Sequence, residues 1–324
     1  MTDSFGRTIN YLRLSVTDRC NLRCVYCMPP QGVTWIPHED ILSFEEILRL
    51  VRVMAGLGIT KIKVTGGEAL TRRAVVDLIR QLKLIPDIQQ VTLTSNGVLL
   101  AEHLDSLIAA GLNGLNISLN TLNAETFSRI AGAAGFERIV SLIARIKSLP
   151  FPVKINCVPI RGFNDNEITA IAGLAKDKAA AVRFIELMPL GCAGNFELLT
   201  QNEIFAEIEK AFGALAPSAS SLGNGPAVYY SPEGWTGKIG FISPMSHNFC
   251  GQCNRIRLSA AGLLMPCLSV NTGLDARTML RSANNPASDD ELANAIKALM
   301  LQKPRCHLFS ETKQADKEMF RIGG

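Results

Sequence analysis

Six short strand-forming runs lie before residue 190 with helical patterns between them, and no other feature narrows the fold so far. The runs lie at 11–16, 61–65, 91–94, 115–119, 153–158 and 182–187, and helical patterns at 43–55, 72–82, 102–110, 137–147 and 167–175. In the first helical pattern Ser43 and Glu46 are spaced as a capping box, and Gly58 stands where the helix would stop. Repeated β-then-α units require a parallel sheet, doubly wound or curled into a barrel. Parallel strands covered on both faces read as continuous Val, Ile and Leu. These strands instead carry polar residues at period two: Arg13 and Ser15; Lys61, Lys63 and Thr65; Thr92 and Thr94; Asn116, Ser118 and Asn120; Lys154 and Asn156. Alternate side chains share a face, so each strand offers a polar row to one wet or ligand-filled lumen. The expected fold is α/β, an incomplete (β/α)6 barrel over residues 1–218 followed by a smaller C-terminal domain over 219–324.

The residues with chemical character sit at the ends of these strands. A cysteine loop follows the first, Gly66-Gly67-Glu68-Ala69 the second, Ser95-Asn96-Gly97 the third and Ser118-Leu119-Asn120 the fourth, while Pro159 and Met188 end the fifth and sixth. In β/α barrels the chemistry lies at that face. Any one of these glycines could simply make a tight turn; their joint placement around one rim is harder to dismiss. In the first loop Cys20, Cys24 and Cys27 stand at C-x3-C-x2-C spacing with no fourth cysteine near. Iron–sulfur clusters take cysteine thiolates at each iron, and three ligands on a four-iron cluster leave one iron open.

The setting agrees. Residues 1–14 lack the basic start and apolar core of a secretory leader, and no apolar run reaches the ~18 residues of a membrane span. The expected compartment is cytoplasmic, where nine cysteines, an odd number, are not a disulfide framework. A net charge of +4 is slight for 324 residues and suits local basic clusters for an anionic ligand better than a nucleic-acid surface.

A second group lies downstream, where His247, Cys250, Cys253 and Cys267 read as H-x2-C-x2-C-x13-C. From spacing alone a closed tetrahedral zinc site ranks ahead of an iron–sulfur cluster, and both stay open. Arg255 and Arg257 fall on one face of an expected strand and could grip phosphate bidentately. With zinc, the chain would be a phosphate- or RNA-binding module without catalysis.

C-x3-C-x2-C with an aromatic residue before the last cysteine resembles the signature of the radical S-adenosylmethionine enzymes. Five longer stretches resemble one family among them, the GTP 3′,8-cyclases of molybdenum cofactor biosynthesis. These are R-L-S-V-T-D-R-C-N (13–21), V-P-I-R-G-F-N-D-N-E (158–167), R-F-I-E-L-M-P-L-G (183–191), G-F-I-S-P-M-S-H-N-F-C-G-Q-C-N-R-I-R-L (240–258) and the terminal I-G-G. The similarity runs from about residue 7 to the C-terminus.

The resemblance implies a [4Fe-4S] cluster on Cys20, Cys24 and Cys27 whose open iron chelates S-adenosylmethionine, with Tyr26 near the adenine. Gly67, Ser118 and Met188 match positions that contact S-adenosylmethionine, with Glu68 near its amino group. A second [4Fe-4S] cluster is implied on Cys250, Cys253 and Cys267, its open iron toward the guanine, with His247 a neighbour and not a ligand. Arg13, Lys63, Thr94, Lys154, Arg255, Ile256 and Arg257 match positions around GTP. Arg13, Lys154 and the terminal Gly323 and Gly324, which the resemblance sends into the cavity, are the catalytic candidates. The implied reaction cleaves S-adenosylmethionine reductively, removes hydrogen from the ribose 3′ carbon of GTP and joins that carbon to carbon 8 of the guanine. Methionine and 5′-deoxyadenosine leave. Implied partners are a low-potential donor such as flavodoxin or ferredoxin and a downstream cyclic pyranopterin monophosphate synthase. Neither nucleic acid nor membrane is implied, and a homodimer is left open.

Some positions depart from the family pattern: Ala69 replaces a proline, Ser95 a threonine, Asn120 an aspartate and Lys63 an arginine. None removes a cluster ligand. Cys157, within a strand, reads as a small core residue, Cys192 and Cys306 have no ligand spacing and read as spectators, and His38, His103 and His307 read as isolated.

Overall fold

The period-two pattern of the strands becomes two faces of one sheet. In the computed structural model, which describes all residues except Lys178, Ser220, Ser221, Asn271, 310–318 and Gly324, six strands pair in parallel in chain order. They are β1 (Tyr11–Ser15), β2 (Lys61–Thr65), β3 (Gln90–Ser95), β4 (Gly114–Ser118), β5 (Val153–Cys157) and β6 (Ala181–Ile185). Their apolar residues, among them Leu12, Leu14, Val64, Leu93, Ile117, Ile155 and Val182, are fully buried in one core. That core is shared with the helices α1 (Phe44–Gly56), α2 (Val75–Lys83), α3 (Leu100–Ala109), α4 (Ala124–Ala131), α5 (Phe136–Arg145), α6 (Ile168–Gly173) and α7 (Gln201–Phe212). Burial of this size supplies most of the favourable free energy of folding.

Residues after α7 lengthen the same sheet at both edges. Beside β6 lies β9 (Lys238–Ile242), parallel, then β8 (Val228–Ser231) and β7 (Ala216–Ser218), antiparallel. Beside β1 lies β10 (Arg255–Leu258), parallel, then β11 (Leu263–Met265) and β12 (Leu274–Asp275), antiparallel. The order β12-β11-β10-β1-β2-β3-β4-β5-β6-β9-β8-β7 has two free ends, so the ring does not close. It does curl, because Arg13 of β1 and Arg183 of β6 line one cavity. The incomplete barrel expected from the polar rows is present. Helices α8 (Ala276–Arg281), α9 (Asp289–Leu301) and α10 (Met319–Ile322) complete the chain.

The capping box of α1 forms as its spacing demands: Ser43 Oγ accepts from Glu46 N, and Glu46 Oε2 accepts from Ser43 N at 2.7 Å. Gly58 follows the helix at φ +96°, a conformation that favours glycine. The sequence reading lacked α4. Its eight residues bury only Phe127, Ile130 and Ala131, too short an apolar stripe to stand out as periodic. Among the described residues no helix is long and apolar enough to cross a membrane.

Candidate active site

The first cysteine loop leaves the C-terminal end of β1 and is held on three sides. Its backbone is fixed to the end of α4 by Arg23 N and Val25 N, which donate to Ala131 O and Ile130 O at 2.7 and 2.9 Å. The glycine turn after β2 lies against it, Gly67 N donating to Thr17 O and Glu68 N to Arg19 O, each at 2.8 Å. A Cβ on Gly67 would stand 2.5 Å from the carbonyl oxygens of Asp18 and Arg19, so close backbone approach requires glycine here. Glu68 is buried, and its carboxylate accepts from Leu70 N at 3.1 Å and Asn96 N at 2.6 Å, joining the turns after β2 and β3. Burial raises its pKa against these hydrogen bonds. Asn120, the departure after β4, donates to the hydroxyl of Tyr26 at 2.8 Å and accepts from Val158 N at 2.9 Å. Burial and neighbouring thiols push Cys24 up to about 12 and Cys27 well above the ordinary thiol range. The metal-free loop is therefore protonated at neutral pH, and a metal bound there must displace those protons. Cys192 lies near enough to Cys27 to add to its shift, so its neighbourhood is not that of a remote spectator.

The second triplet faces the other way along the strands. Arg255 pairs with Tyr11, the first residue of β1, so Cys250 and Cys253 precede the N-terminal end of the parallel strands. Because β11 runs antiparallel to β10, Cys267 returns to that same end. Lys303, 2% exposed, donates to the carbonyls of Arg255 and Pro266 and so clamps β10 to the Cys267 loop. Arg7 does the same for Cys250: its guanidinium pairs with Asp3 and donates to the carbonyls of Cys250, Pro304 and Arg305. Burial pushes the Cys253 thiol up, but Arg255 and Lys303 outweigh it and bring the pKa down to about 7.

Between the triplets lies a cavity of about 320 Å³ lined by all six cysteines. Tyr26, Gly67, Glu68, Ser118 and Met188 line it toward the first loop. Arg13, Lys63, Thr94, Arg183, Arg255 and Arg257 line it as well, and Lys63 and Arg183 also border a second pocket of about 190 Å³ with Lys154. Among the proposed substrate contacts, Lys154 borders only that second pocket, and Ile256 lines neither. Its side chain is fully buried in the core on the opposite face, so only its backbone is available to a ligand.

Strand register stacks the charges. Arg257 lies opposite Arg13, and Arg13 opposite Lys63, across β10, β1 and β2. Like charges directly opposite on a sheet are destabilising. Among the described residues no ion pair joins Lys63, Lys154, Arg183 or Arg257 to a carboxylate. Burial depresses the pKa of Lys63 and Arg257 strongly and brings Lys154 down to about 8, with Arg183 adding to the shift on both lysines. A bound polyanion would offset this repulsion.

The tail ends in the same place. After α10 the carbonyl of Gly323 accepts from Arg257 at 2.9 Å and Arg13 at 3.2 Å. Gly323 has φ +74°, and a Cβ there would lie 2.6 Å from Thr65 Cγ2. Gly324 lies outside the described residues.

Comparison with known proteins decides the family. Residues 14–175 match the Radical SAM superfamily and residues 180–309 match Molybdenum Cofactor Synthesis C. The chain is 44% identical over 330 residues to a GTP 3′,8-cyclase of Desulforamulus reducens, with the whole of each chain covered. It is 42% identical to one of Petrotoga mobilis, again over the whole of both. This chain belongs to the GTP 3′,8-cyclase family of radical SAM proteins. The fold is also similar to Streptococcus suis SuiB bound to S-adenosylmethionine, at TM-score 0.61 and 14% identity, covering 95% of this chain and 76% of that one. Members of the cyclase family use S-adenosylmethionine and two [4Fe-4S] clusters, and six free thiols in two groups of three around one cavity fit that pair.

Several residues that line or brace this cavity are not announced by the sequence pattern. Arg183 hydrogen-bonds Asn156 and Asn116 at 2.8 and 2.7 Å and faces the cavity. A lone arginine at an inward position of an apolar strand was the available signal. Arg7 and Lys303 act on backbone carbonyls far along the chain, which no local pattern announces. His307 and Cys306 were set aside, yet their side chains gather beside Cys250.

Proposed function

We propose that this protein is a GTP 3′,8-cyclase, catalysing the first step of molybdenum cofactor biosynthesis, and that residues 1–218 and 219–324 each supply one cluster. The reading is carried by one observation: two cysteine triplets at opposite ends of the strands, with a row of stacked cations between them. Cys20, Cys24 and Cys27 would hold the first cluster, and Cys250, Cys253 and Cys267 the second. When bound, the first cluster with S-adenosylmethionine supplies the chemistry that opens the carbon–sulfur bond. The chain's own part is to bind, orient and exclude water.

Tyr26, Gly67, Glu68, Ser118 and Met188 form the S-adenosylmethionine side, with Glu68 holding the loops in register. Arg13, Lys63, Lys154, Arg183, Arg255 and Arg257 neutralise a triphosphate, and Thr94 offers a hydroxyl beside it. The guanine then lies toward the second triplet and the ribose toward the first. Gly323 closes the cavity through its backbone carbonyl, which keeps Arg13 and Arg257 aimed inward. A zinc-containing binding module would leave the first triplet without a purpose. The enzyme is proposed to work in the cytoplasm as a monomer or homodimer, without nucleic acid or membrane. It would take electrons from a flavodoxin or ferredoxin and pass its product to cyclic pyranopterin monophosphate synthase. Anaerobic incubation with GTP, S-adenosylmethionine and a strong reductant tests it. Formation of 5′-deoxyadenosine together with a cyclised nucleotide is expected; reductive cleavage with GTP recovered unchanged would refute it.

A further inference from the structure

Cys250, Cys306 and His307 place one donor atom each within 4.8 Å of one another, and all three belong to segments held together by Arg7. The arrangement is built. Asn248 accepts from Cys250 N at 2.7 Å through Oδ1 and donates to Cys306 Sγ through Nδ2, bridging the two cysteines. The backbone N–H of His307 donates to the Cys250 thiol. The imidazole stacks on Phe309, ring centroids 4.7 Å apart, and its Nε2 lies 2.8 Å from the carbonyl oxygen of Pro244. A carbonyl can only accept, so Nε2 carries the proton and Nδ1 presents its lone pair. Nδ1 is buried and has no hydrogen-bond partner among the described residues. Metal-binding histidines are oriented in this way, one nitrogen anchored and the other left to the ion.

We propose that Cys250, Cys306 and His307 form a Cys2His site for a single thiophilic divalent cation of the zinc type, occupied when the second iron–sulfur cluster is absent. Two thiolates, one imidazole and an open fourth position are a standard zinc donor set. Binding needs no redox partner, since the two thiols give up protons as the ion enters. Cys250 is common to this site and to the second cluster, so the two metals exclude each other. The exclusion rests on the assignment of Cys250 to that cluster; the Cys2His site itself does not. Cys306 is exposed, which gives the ion an entry path from solvent.

The test uses the full-length chain carrying Cys267→Ala with its first triplet already loaded with iron and sulfide, so that the three proposed donors are left for zinc. Equilibrium dialysis against zinc should give one zinc per chain. Zinc-edge X-ray absorption should show two sulfurs at about 2.3 Å and a nitrogen at about 2.0–2.1 Å. Adding Cys306→Ala, an exposed position whose change spares the fold, should weaken zinc at least about tenfold. In the otherwise wild-type chain, zinc supplied with iron and sulfide should lower the iron bound by the amount of one cluster, and Cys306→Ala should restore it. Zinc affinity unchanged by Cys306→Ala, or a shell without nitrogen, overturns the site. An iron count untouched by zinc overturns the competition, even where GTP cyclisation itself is confirmed.

Discussion

At the scale of single residues, the cation row makes the sharpest demands. Lys154 has its pKa lowered from 10.5 to about 8, chiefly by burial and then by Arg183. A depressed lysine penalises the folded state while protonated, so the penalty is full below pH 8 and is relieved as pH rises toward 10.5. The nucleotide-free protein should therefore gain stability over that range relative to Lys154→Met, read from pH-dependent melting of both. Binding a triphosphate raises the pKa again, so GTP affinity should fall as pH passes 8. Lys154→Arg should flatten that fall, because arginine stays charged; an equally steep profile in the variant would remove Lys154 from the phosphate site. Arg255→Ala and Arg257→Ala each lose charge-assisted hydrogen bonds of about 1.5–3 kcal/mol. GTP affinity should drop at least about tenfold, while reductive cleavage of S-adenosylmethionine continues. Calorimetric titration showing unchanged affinity would assign both arginines a structural role.

At the scale of elements, the strands were the legible part. Polar residues at period two in β1 to β5 mark the lumen in the sequence itself, because pleated backbone sends alternate side chains to opposite faces. In β6, Arg183 stood alone among apolar neighbours and was overlooked for that reason. Helix α4 was too short to read, yet it anchors the first cysteine loop. Pairing of β9 and β10 with opposite edges of the sheet depends on contacts between residues far apart in sequence, which pattern alone does not encode. The tail is the other element that sequence could only suggest. Its Gly323 carbonyl joins Arg13 to Arg257, two residues brought side by side by the β1–β10 pairing. Deleting Gly323 and Gly324 should leave both clusters and 5′-deoxyadenosine formation intact but abolish the cyclised nucleotide. Chromatographic assay showing product at the full-length rate would mean that the tail only occupies space.

At the scale of the molecule, two clusters must face each other across one substrate. Iron analysis of anaerobically prepared protein should give about eight irons per chain, the sum for two four-iron clusters. Cys24→Ala and Cys267→Ala should each lose about half. Retention of all iron in both variants would break the division into two triplets. The orientation of GTP between them can be read with GTP carrying deuterium at the ribose 3′ carbon, incubated anaerobically with the full-length protein, S-adenosylmethionine and reductant, with mass analysis of the 5′-deoxyadenosine. Deuterium should appear in 5′-deoxyadenosine alongside a cyclised nucleotide, because the ribose faces the first triplet; 5′-deoxyadenosine formed without deuterium while GTP is bound would overturn that orientation.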